Sequence, residues 1–109
     1  MIEATILRDE GRIYGFRILG HAESVPEGQN DLVCCAVSVL AENTVNAIER
    51  LTEDCPLVEE MDEEEGFLQF ELPKQCSEKS RLLLDAMALG LEDIAEQSEK
   101  HLTIRYKEE

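Results

Sequence analysis

Apolar and polar residues alternate from the start of the chain. Ile2, Ala4 and Ile6 fall on one side of a strand over residues 2–8, with Glu3, Thr5 and Leu7 on the other. Asp9-Glu10-Gly11 supplies a tight turn, with Gly11 able to take the left-handed backbone such turns need. Tyr14, Phe16 and Ile18 then share one face of a second strand over 12–19, which completes a hairpin. Residues 20–30 lose all periodicity, and Pro26, Gly28 and Asn30 mark them as a loop.

Asp31 is a good helix cap, and the pattern then turns helical to about Thr52. Val33, Val37, Leu40, Thr44, Ala47, Ile48 and Leu51 recur every three or four residues as a core-facing stripe. Cys34, Ser38, Ala41 and Val45 make a second, narrower stripe about 100° round the helix, so this helix should pack against more than one element. Two short strands follow, Leu57–Met61 and Gly66–Leu72, the latter with Leu68, Phe70 and Leu72 inward. Ser77 caps a second long helix whose core face carries Leu83, Met87, Leu91 and Ile94. Gly90 lies on that face, where it permits close approach to a strand or simply weakens a helix turn. Leu102, Ile104 and Tyr106 alternate in a last strand. The order ββαββαβ predicts an α+β fold. It is one single-domain α/β sandwich over residues 1–109, with one mixed or antiparallel sheet and two long helices.

Composition narrows the function. The chain has 109 residues and a mass of 12.3 kDa, enough for one ordinary core. Lys plus Arg is 10 against 25 Asp plus Glu, a formal charge of −15. Nucleic acid and anionic lipid both reward positive surface, so neither is expected as a direct partner. No apolar run is expected to approach the roughly 20 residues of a membrane span. The opening Met1-Ile2-Glu3-Ala4 does not resemble a signal peptide. Four cysteines, at positions 34, 35, 55 and 76, have no framework spacing, and reduced thiols in the cytosol are the expected state.

One constellation has the makings of chemistry. Gly20-His21-Ala22 is followed, after a loop, by Asp31-Leu32-Val33-Cys34-Cys35. A thiol attacks as the thiolate, and unpaired backbone N–H groups at a helix N-terminus favour that anion. An imidazole within reach can take the proton and return it to a leaving amine. The same residues also read as a loop histidine and a packed helix cysteine, and spacing does not choose between the two. Asp31 reads first as a cap, and its charge would raise a nearby thiol pKa. Zinc on His21, Cys34 and Cys35 is disfavoured, because adjacent helical residues point about 100° apart. Cys55, Cys76 and His101 read as structural. Glu59–Glu65, six acids in seven residues, reads as a solvated turn.

Gly20-His21-Ala22 and Asp31-Leu32-Val33-Cys34-Cys35-Ala36-Val37-Ser38-Val39-Leu40 resemble the motifs of the ribosomal-processing cysteine proteases, the Prp family. Val45-Asn46-Ala47-Ile48, the element order and the ending Tyr106-Lys107 resemble that family too, so the likeness covers nearly the whole chain. It implies a small cytoplasmic cysteine endopeptidase, usually a homodimer, without cofactor. Such an enzyme removes a short N-terminal extension from a large-subunit ribosomal protein. His21 matches the catalytic histidine and Cys34 the nucleophile, with Gly20, Asp31 and Ser38 at supporting motif positions. Cys35 stands where the family usually has a small residue without a thiol. The basic N-terminal arm of a ribosomal protein would suit a chain of charge −15. The intervening loop (Ala22, Glu23, Ser24, Val25, Pro26, Glu27, Gly28, Gln29 and Asn30) is expected to be mobile and to order over bound peptide. The alternative is a non-catalytic acidic module that binds a ribosomal protein or assembling ribosome.

Overall fold

The computed structural model describes residues 1–20 and 32–109. The loop expected at 22–30, its gating role, and the positions of His21 and Asp31 lie outside the described residues. The elements are β1 (Ile2–Asp9), β2 (Arg12–Leu19), α1 (Leu32–Leu51), β3 (Val58–Asp62), β4 (Phe67–Glu71), α2 (Glu78–Gln97) and β5 (Leu102–Glu108). They form one mixed five-stranded sheet in the order β3-β4-β2-β1-β5, so the expected α+β sandwich is what the chain builds.

Its local causes are those the pattern suggested. Glu10 and Gly11, with φ of 52° and 78°, form the two-residue turn that joins β1 to β2. The register shifts between Leu7 and Arg8, which face Gly15 and Ile13, so Tyr14 is an extra residue in β2. This bulge buries Ile13 and Tyr14 in succession, which simple alternation does not predict. Gly15 is needed just beside it, because a Cβ there would lie 2.5 Å from the Phe70 carbonyl oxygen of β4.

β1 pairs antiparallel with β2 and parallel with β5, while β4 pairs antiparallel with both β2 and β3. Strands β2 and β3 therefore run the same way with α1 as their crossover. Strands β4 and β5 do likewise with α2. Two right-handed crossovers travelling in opposite directions place both helices on one face of the sheet. There they pack together over Ile6, Phe16, Phe70 and Leu102, all at most 2% exposed.

Three sequence readings need correction. The buried face of α1 is Val37, Ala41, Thr44, Val45 and Ile48, centred between the two expected stripes, and Leu51 is 68% exposed. The helix meets the sheet and α2 together, which draws the second stripe inward. Gly90 faces a helix, not a strand: a Cβ there would lie 2.7 Å from Leu40 Cδ2 of α1. Finally, α1 reaches a mean hydropathy of 1.3, long and apolar enough by composition to cross a membrane. That hydropathy combines its core face with exposed Leu32, Val39 and Leu51.

Candidate active site

Residues from four parts of the chain meet at one end of the sheet. β2 ends at Leu19, and Gly20 beyond it has φ of +105°. A Cβ on Gly20 would lie 2.4 Å from the Met1 carbonyl oxygen, so no other residue fits without displacing the chain's first strand. The Gly20 N–H donates to the Gly66 carbonyl at 2.9 Å, which ties the end of β2 to the turn between β3 and β4. Gly20 is thus held on both sides, and it is the covalent neighbour of His21.

Beside it opens a cleft of about 200 Å³. One wall is the inner edge of α1, with Cys34, Ser38 and Glu42 at successive intervals of four residues and Val37 and Ala41 beneath them. The floor is Ile2 and Ile18, and the opposite wall is Met61–Glu63 with Gly66–Leu68. Apolar floor, polar rim and a single thiol make a place where an extended peptide can lie beside that thiol.

Cys34 is half-buried and third in α1, in the turn whose backbone N–H groups have no intrahelical acceptor. Those dipoles stabilise a thiolate. Cys35 is exposed and lies outside the cleft lining, as the roughly 100° step between helical neighbours requires. Of the predicted residues that are described, Gly20, Cys34 and Ser38 share the cleft. His101 does not line it. All four cysteines are thiols. Cys76 is buried, and desolvation pushes its thiol pKa up.

Two features escaped sequence reasoning. Glu42 continues the Cys34–Ser38 spacing by four more residues, a signal present in the sequence but not followed that far. The acidic turn is solvated, yet Asp62 and Glu63 also form the rim of the cleft. Asp62 Oδ1 shapes that turn by accepting from the N–H groups of Glu64 and Glu65 at 3.0 and 3.2 Å. Only the sheet order brings the turn opposite α1, and strand order is not written in local periodicity.

A helix-borne thiol beside a cleft, on an α+β sandwich, is the arrangement a small thiol hydrolase needs. Comparison with known proteins agrees. Residues 1–103 match the family described as Cysteine protease Prp. The ribosomal processing cysteine protease Prp of Bacillus subtilis (strain 168) is 34% identical over 109 residues, covering 95% of this chain and 96% of that protein. The essential ribosomal processing protease Prp of Staphylococcus aureus, solved with a covalently linked product peptide, superposes with a TM-score of 0.89. It is 27% identical, with 98% of this chain and 100% of that one covered. The same protease solved with a substrate peptide gives a TM-score of 0.86 at 26% identity, with the same coverage. The chain belongs to the Prp family of cysteine proteases.

Proposed function

We propose that this protein is a cytoplasmic, homodimeric endopeptidase that removes a short N-terminal extension from a large-subunit ribosomal protein. Cys34 is its nucleophile and His21 its general acid and base. The observation that carries this reading is the position of Cys34: in the first turn of α1, lining a cleft whose rim holds Gly20, the residue before His21. Two further facts support it. The Bacillus subtilis relative is a ribosomal processing protease, and the Staphylococcus aureus relative has been captured with a covalently linked product peptide.

The chemistry runs in two halves. His21 takes the Cys34 proton, and the thiolate sulfur attacks the scissile carbonyl carbon. The tetrahedral intermediate collapses as the same imidazole gives its proton to the departing amine, leaving a thioester on Cys34. Water, deprotonated by His21, then attacks the thioester and releases the acid with the thiol restored. Ser38, one turn beyond Cys34, and Asp31 support the arrangement without forming a bond to substrate carbon.

The test uses a peptide that spans the extension and the first residues of the mature ribosomal protein. A single cut seen by mass spectrometry, lost in Cys34→Ala, is the expected result. Binding without a cut would favour the acidic binding module instead.

A further inference from the structure

Glu42 is a half-buried carboxylate on the wall of the cleft. Among the described residues no cation pairs with it, and no hydrogen bond reaches its side chain. Elsewhere Arg8, Arg12, Lys74 and Arg105 all pair with acids away from the cleft, so the chain's ion pairs do not supply one here. A carboxylate on a cleft wall with no cation beside it is placed to attract a cationic ligand.

We propose that Glu42 is a specificity-determining residue, selecting a Lys or Arg side chain on the substrate three or four residues from the scissile bond. The inference rests on the cleft being the peptide site. Position sets the register. Cys34 and Glu42 stand eight residues apart on one helix, a rise of about 12 Å. An extended peptide advances about 3.3 Å per residue, so about four residues cover that distance. Glu63 also lines the cleft and has no cationic partner of its own among the described residues. Cys34 and Ser38 lie nearer the helix N-terminus, whose positive end favours anions, so the two ends of this wall favour opposite charges.

The experiment uses substrate peptides that carry a single Lys, Gln or Glu at each position up to four residues either side of the cut. Wild-type protein is expected to prefer Lys over Gln in kcat/KM by about fivefold, and only at the third or fourth position on one side. Glu42→Gln should bring that ratio to about one, and Glu42→Lys should prefer Glu there. Glu53→Gln, an equal loss of charge on an exposed residue beyond α1, should keep the Lys preference and so excludes a bulk-charge effect. A wild-type protein indifferent to Lys, or a Glu42→Gln protein that keeps the preference, overturns the proposal. Equilibrium binding of the same peptides to Cys34→Ala protein separates this proposal from the catalytic reading. Lys-selective binding without any cut by wild type would refute proteolysis and uphold Glu42. Cutting and binding without selectivity would do the reverse.

Discussion

The two neighbouring thiols show how much one helical step decides. Cys34 faces the cleft and Cys35 faces solvent, although they share a peptide bond. Cys34→Ala is therefore expected to abolish cleavage and Cys35→Ala to retain most of it, read as kcat/KM on one peptide. Iodoacetamide should label Cys34 faster in native protein despite its lower exposure, if the cleft thiol is the reactive one. A dead Cys35 variant beside an active Cys34 variant would reverse the assignment. The two histidines make a similar contrast. His21→Ala should cost about 10²–10⁴-fold in rate. His101, whose backbone carbonyl accepts from the Ile2 N–H at 2.9 Å, should tolerate Ala with little change in kcat, since that bond does not involve its side chain.

At the scale of elements, the junction between the helices is where charge holds the fold. Asp54, just past α1, accepts hydrogen bonds from the N–H and hydroxyl of Ser77 and from the hydroxyl of buried Ser80. Ser77 in turn caps α2 by accepting from the Ser80 N–H at 3.2 Å. The Ser77 and Ser80 hydroxyls hold the Asp54 carboxyl below its ordinary value of 3.8. A carboxyl whose folded pKa is depressed adds stability above its unfolded pKa and loses it as pH falls through the folded value. Asp54→Ala should thus lower stability by about 1–2 kcal/mol at neutral pH. The deficit should shrink below about pH 4, as seen by urea denaturation across a pH series. A deficit that does not change with pH would mean that packing, not charge, is what the substitution removed.

Most elements were legible because each depends on neighbours in sequence: the Glu10–Gly11 turn, the Ser77 cap, the alternation in β1 and β4. The shifted face of α1 was not, because Ala41 and Val45 are drawn inward by α2 and the sheet acting together. The Tyr14 bulge was hidden for a like reason, since it answers to the partner strand. In the site, the motif gave Gly20, Cys34 and Ser38, whereas the Met61–Glu63 wall depends on β4 lying between β3 and β2.

For the molecule as a whole, a charge of −15 should govern capture more than turnover. Raising salt from about 0.1 M to 1 M shortens the screening length from about 10 Å to about 3 Å. KM for a basic peptide is then expected to rise while kcat changes less, and a KM indifferent to salt would remove long-range attraction from the account. Neutralising Glu64 and Glu65 together, which lie outside the cleft lining, should change KM little beside the effect of salt.

The parallel pairing of β1 with β5 also sets when the enzyme comes into being. Ile2, part of the cleft floor, is held against Leu102, and the two stand almost the whole chain apart. Until β5 is made, β1 has an open edge, and the Met1 backbone on which Gly20 rests has lost its support on that side. Closing a loop this long costs entropy before the pairing can reward it. Nascent chains arrested before Leu102 should therefore neither cut peptide nor show preferential labelling at Cys34, and both properties should appear together once the last strand is complete. A protease built this way is expected to stay inert until β5 has paired with β1.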